Sequence, residues 1–174
     1  TKNDGIDNFE DIAKGKSATI VKGYNYFNES IQKQMQRFNE AYLNHVNSFT
    51  RRAYKNDPAV IALLITNEND LTQHYGNLLL PKKGNPIHSD LFANDVKHFA
   101  QQTSLEGKKL WRTWDMGDSK IFLADVEHRS NQKMISHLRN LGAKSPMVTT
   151  NSWGKMGLFG LPSLTDGDLI DAHS

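Results

Sequence analysis

The chain has 174 residues, 37% of them hydrophobic and 23% charged, an ordinary composition for one globular domain with its own core. Its 21 Lys plus Arg and 19 Asp plus Glu leave a net charge of +2 with the signs interspersed, so no electrostatic argument for nucleic acid or an anionic membrane gets started. With no cysteine there is no disulfide frame and no thiol chemistry, and no apolar stretch nears the roughly 20 residues that span a bilayer.

The chain opens at Thr1 without an initiator Met or an apolar leader, and it is expected to be a piece of something longer. Residues 1 to 25 are rich in Gly, Asn, Asp and Lys and predict a loop with one short helical turn over 8–13. Ile31, Met35, Phe38, Tyr42 and Val46 then recur at steps of three or four. They predict an amphipathic helix from Glu29 with that face inward, capped by Asn28 or Ser30. A polar linker over 47–57 ends in Asp57-Pro58, and a proline is acceptable at the first position of a strand. The run Ala59-Val60-Ile61-Ala62-Leu63-Leu64-Ile65 has no polar interruption and predicts a strand over 59–67 buried on both faces, as in parallel sheets and barrels.

Gly76, Pro81, Gly84 and Pro86 lead out of regular structure into a second helix, capped by Ser89, with Leu91, Phe92, Val96 and Phe99 on its apolar side. Trp111-Arg112-Thr113-Trp114 reads as a loop. A long helix follows over 119–141, with Phe122, Val126, Ile135, Leu138 and Leu141 inward and Gly142 at C′. Pro146 opens a strand over 146–151, and residues 168–173 read as a third. Strands alternating with helices predict βαβ units and a parallel sheet. The expected fold is α/β, a partial (β/α)8 TIM barrel forming a single domain over 1–174. A complete barrel takes about 250 residues, and a strand at the chain's end implies a missing neighbour.

In such barrels the active site is assembled from the carboxyl ends of the strands, which directs attention to Asn67-Glu68-Asn69. Glu68 is the candidate proton donor for glycoside hydrolysis, which by retention needs a second carboxylate about 5–5.5 Å away. The competing reading makes Asn67 and Asn69 turn caps and Glu68 a solvated loop acid. His173 ends the third strand, where an imidazole can bond a sugar hydroxyl or tune a carboxyl, or simply close a chain end. Asn151 and Trp153 end the middle strand, and an indole there can stack on a pyranose or pack, as can Trp111 and Trp114. The other six histidines show no metal-ligand spacing, and no nucleophile elbow or phosphate loop is present. Asp166, Asp168 and Asp171 do not form a calcium loop, because alternation sends Asp168 and Asp171 to opposite faces. No metal and no cofactor are expected.

The stretch from His45 to Val60, with His-x-Asn-x-x-Thr leading to Asp57-Pro58, an aliphatic strand and Asn67-Glu68, resembles the segment leading into the fourth strand of clan A glycoside hydrolases, particularly the cellulase-like family 5 group. Phe122-Leu123-Ala124-Asp125-Val126-Glu127, the Leu138-Arg139-x-Leu141-Gly142 helix end, the Pro146 strand and Asp168-x-x-Asp171-x-His173 extend the similarity, from just after the third strand to the end of the sixth. The resemblance implies that Glu68 is the general acid/base, that Asn67 contacts the sugar 2-hydroxyl, and that His173 lies near the reactive subsite. It implies a retaining glycosidase acting on a β-linked polysaccharide or oligosaccharide, cellulase- or mannanase-like and secreted or periplasmic. The nucleophile, a glutamate ending the seventh strand, would lie outside this chain, and so would the tyrosine that commonly follows the histidine by two positions. The first strands and the last two βα units are then absent, and the chain alone is expected to be inactive. Its implied partners are the carbohydrate and the missing remainder of the barrel, with no nucleic acid and no membrane. A noncatalytic carbohydrate-binding or barrel-assembly piece is the alternative.

Overall fold

Asn28 begins the first helix. Its side-chain Oδ1 accepts from the backbone N–H groups of Ser30 (3.0 Å) and Ile31 (3.3 Å), which makes it the cap and leaves Ser30 inside the first turn. The computed structural model describes residues 23–72, 79–80, 85–106, 110, 117–152 and 157–173, so the turn expected over 8–13 and all three tryptophans lie outside the described residues. The helix, α1 (Glu29–Asn44), does not bury the stripe expected of it. Leu43 is its buried residue, whereas Phe38 is 66%, Tyr42 51% and Val46 53% exposed. The inward line runs Ile31, Met35, Asn39, Leu43, a strict step of four whose third member is polar. Asn39 remains on that line because its Nδ2 reaches the Met134 sulfur at 3.3 Å. Val46 is beyond the helix, bridged to Ala53.

Strand β1 (Leu63–Leu64) is far shorter than the predicted 59–67. Pro58 and Ala59 form a turn instead, with Asp57 Oδ1 accepting from Ala59 N–H (3.0 Å) and the Asp57 carbonyl from Val60 N–H (3.0 Å). Burial on both faces also fails, since Ile61 is 82% exposed and Leu64 42%, while Leu63 and Ile65 pack against Met147 and Leu138. An apolar run records a capacity for burial, and here only alternate side chains find a neighbour.

The next helix, α2 (Pro86–Gln102), starts three residues before the predicted cap. Pro86 occupies its first turn, where a missing N–H costs nothing, and Asn85 precedes it. Ser89 lies inside, its hydroxyl donating to the Leu80 carbonyl at 3.2 Å. Phe92, Val96 and Phe99 are buried as expected, and Leu91 is partly so. The long helix α3 (Asp118–Asn140) spans two apolar clusters. Phe122, Leu123 and Val126 pack with Phe92 and Phe99, while Met134 and Leu138 pack with Leu43 and Met147. It ends in a Schellman arrangement: Gly142 has φ +92, its N–H bonds the Arg139 carbonyl (2.9 Å), and the Ala143 N–H bonds that of Leu138 (3.1 Å).

Past α3 the chain forms β2 (Met147–Val148) and β3 (Asn151–Ser152), a short helix α4 (Leu161–Leu164), and β4 (Asp171–Ala172). Among the described residues the strand pairings are parallel, β1 with β2 and β3 with β4. The Pro146 and Val148 carbonyls accept from Leu63 and Ile65 N–H, and that of Met147 accepts from Asp168 N–H, so residues 146–152 stand between the other two strands. The predicted strand over 146–151 is divided because consecutive carbonyls, Val148 and Thr149, both turn toward the first strand to meet Ile65 and Thr66. The third strand is shorter than 168–173. Leu169 and Ile170 are 49% and 45% exposed, and Gly167, with the bend after it, presses against the Met147 carbonyl instead of continuing the ladder.

Candidate active site

Three backbone N–H groups in the four residues 66–69 after β1 are fastened to the middle strand. Thr66 N–H and its hydroxyl both donate to the Thr149 carbonyl (3.0 and 3.1 Å), Glu68 N–H to Asn151 Oδ1 (2.6 Å), and Asn69 N–H to the Thr150 hydroxyl (3.2 Å). This clamping holds Glu68 at φ +49, a left-handed conformation that costs a non-glycine residue roughly 1–2 kcal/mol and persists only where the surroundings determine it. Buried Asn69 braces the turn from below: its Oδ1 accepts from Gly23 N–H (2.7 Å), its Nδ2 donates to Asn25 Oδ1 (2.8 Å), and its carbonyl accepts from the Tyr26 hydroxyl (2.5 Å).

The Glu68 carboxylate reaches His173, with Oε1 3.1 Å from Nδ1. Asn151 joins them from below, 1% exposed, its Nδ2 donating to Asp171 Oδ2 and standing 3.1 Å from His173 Nε2. Asp171 Oδ2 lies 3.4 Å from the same ring nitrogen. The side chains of Glu68, His173 and Asp171 are 35%, 37% and 41% exposed, so a solute can approach the carboxylate while its backbone N–H is held by Asn151. The geometry thus brings Glu68, Asn151 and His173 to one rim. Asn67 is exposed on the same turn, and Trp153 lies outside the described residues. Among the described residues no group of three His, Asp or Glu side chains is placed to hold a metal ion, and no helix is long and apolar enough to cross a membrane.

Two residues outside the expected site complete the arrangement. Asp171 carries no expected site role beyond its place in the Asp168-x-x-Asp171-x-His173 motif, yet its i, i+2 spacing from His173 puts both on one side of a strand. Glu127 is fully buried on α3 beneath the Glu68 turn, and its Oε1 accepts from Leu71 N–H (2.5 Å) and Thr72 N–H (3.1 Å). Burial raises its pKa from 4.5 to about 7, opposed by the bonds from Ser163, Leu71 and Thr72 and assisted by Asp70. Burial, with Glu127 and Asp70 nearby, likewise holds the Tyr26 phenol well above its ordinary value. Glu127 stands four residues from buried Leu123 and four from buried Asn131, an inward position that helical spacing alone marks.

Compared with protein-family models, with curated proteins and with solved structures, the chain matches none.

Proposed function

We propose that this chain carries the acid/base half of a retaining glycoside hydrolase site, within a (β/α)8-type barrel acting on a β-linked polysaccharide or oligosaccharide of the cellulose or mannan kind. The observation that carries the reading is Glu68 itself: an accessible carboxylate in a left-handed, clamped turn at the carboxyl end of a parallel strand, with the imidazole from another strand's end at 3.1 Å. Glu68 protonates the leaving glycosidic oxygen, then takes a proton from the water that opens the glycosyl-enzyme. Asn67, exposed beside it, is suited to the sugar 2-hydroxyl. Retention needs a second carboxylate to attack the anomeric carbon, and the resemblance places it on a strand later than that of His173.

A noncatalytic role in carbohydrate binding or barrel assembly is the second reading. It draws on the exposed apolar side chains of Phe38, Tyr42, Ile61 and Leu64 near β1, a surface that further strands and helices would cover.

The deciding experiment replaces Glu68 by Ala in the protein that contains this chain. Sugars with poor leaving groups should slow far more than aryl glycosides with good ones, because only the former need protonation. Azide should restore the second step by attacking the anomeric carbon and releasing the enzyme carboxylate, which yields a β-glycosyl azide. Equal losses on both substrate types without azide product would make Glu68 structural.

A further inference from the structure

Asn151 stands where a sugar contact is expected, at the end of the middle strand, yet both polar atoms of its side chain are engaged inside the protein. Its Oδ1 faces the Glu68 backbone N–H at 2.6 Å, and because a backbone N–H can only donate, that atom must be the amide oxygen. The two hydrogens on Nδ2 therefore point the other way, toward Asp171 Oδ2 and His173 Nε2. An amide hydrogen aimed at Nε2 from 3.1 Å favours a lone pair there over a ring N–H, whose competing acceptor, Asp171 Oδ2, is the longer contact at 3.4 Å and already receives the same amide. The neutral ring then carries its proton on Nδ1, which lies 3.1 Å from Glu68 Oε1.

We infer that Asn151 is a positioning residue: its amide, held by Glu68 N–H and Asp171, sets His173 in the Nδ1–H tautomer so that the imidazole donates to Glu68 Oε1. The inference rests on the reading of Glu68 as proton donor for its catalytic consequence, though not for its hydrogen-bond content. Among the described residues, the charged groups that face the ring are Glu68 and Asp171. Asp171 keeps the amide from turning over, since a flipped Asn151 would set its oxygen against that carboxylate and its NH2 against the Glu68 N–H.

The test is the ¹⁵N spectrum of His173 in the full chain at neutral pH, with the ring signals assigned by their loss in His173→Gln. Pyrrole-type Nδ1 with pyridine-type Nε2 is expected. Asn151→Asp, which accepts at Nε2 where the amide donates, should make Nε2 pyrrole-type. It should also slow substrates with poor leaving groups by about tenfold or more relative to activated ones in the active protein, part of what a general acid contributes. A wild-type ring protonated at Nε2 overturns the inference, and this measurement needs no variant to fold. An Asn151→Asp ring that keeps a pyridine-type Nε2 overturns it as well. If the wild-type ring is Nδ1–H but Glu68→Ala leaves hydrolysis untouched, the proton-donor reading fails while the tautomer assignment stands.

Discussion

Replacing Glu127 by Gln should abolish a pH-dependent loss of stability. The buried carboxyl sits between acceptor and donor duties that only its neutral form satisfies together. Oε1 takes the Leu71 and Thr72 N–H groups, and Oε2 meets the Ser163 hydroxyl, which also donates to the Gly160 carbonyl at 2.9 Å. A hydroxyl has one hydrogen for those two acceptors. When Glu127 is protonated on Oε2 it donates into Ser163 Oγ and leaves that hydrogen to Gly160. Its folded pKa, about 7, lies above its ordinary 4.5, so between those values the folded chain binds more protons than the unfolded one. The stability it contributes is then fully present below about pH 4.5 and lost as pH rises through about 7. At about 1.4 kcal/mol per pH unit the loss is about 3 kcal/mol. Glutamine reproduces the neutral form, with a carbonyl for Leu71 and Thr72 and an NH2 for Ser163, and does not titrate. Urea unfolding of both proteins from about pH 4.5 to about pH 8 should show the variant gaining on the wild type by about 3 kcal/mol across that range. Histidine titrations are common to both proteins and cancel in the difference. A difference independent of pH refutes the reasoning, because the carboxyl would then be equally charged in both states.

Three further substitutions test the backbone that carries the site. Gly142→Ala should cost about 1–2 kcal/mol through its left-handed φ of +92 alone, since the nearest atom to a new Cβ is Lys55 Cδ at 3.9 Å. Gly167→Ala should cost more despite an ordinary φ, because its Cβ would stand 2.7 Å from the Met147 carbonyl oxygen, a backbone atom that cannot swing aside. Thermal or urea unfolding that ranks the two the other way would remove the close approach from the account. Glu68→Gly should be more stable than Glu68→Ala by about 1 kcal/mol, both lacking the carboxylate, and equal stabilities would mean that residue 68 does not hold a left-handed backbone in solution.

What could be read from residues alone was the close of α3 and the side on which the strands end. Gly142 marked the close of α3 because only a residue indifferent to positive φ completes that turn cheaply. Glu68, Asn151 and His173 were grouped because parallel strands deliver their carboxyl ends to one side. Facings were harder to read. The buried line of α1 passes through Asn39, so a search for apolar residues drifts off it to Phe38 and Tyr42, which are exposed. The same blindness hid Glu127, whose partners Leu71 and Thr72 lie more than 50 positions away and whose charge reads as solvated until a fold supplies the N–H groups that hold it. It also concealed the part played by Asn151, because an amide at a strand end is equally suited to a sugar hydroxyl or to its neighbours. Only the positions of its two distinguishable ends decide between them. With the oxygen on Glu68 N–H, both hydrogens directed at Asp171 and His173, and the residue only 1% exposed, the amide is turned inward and not toward a ligand. On the proposed reading, the chemistry of this rim passes to two groups partly exposed to solvent, the Glu68 carboxylate and the His173 ring, and Asn151 would act on a substrate through them.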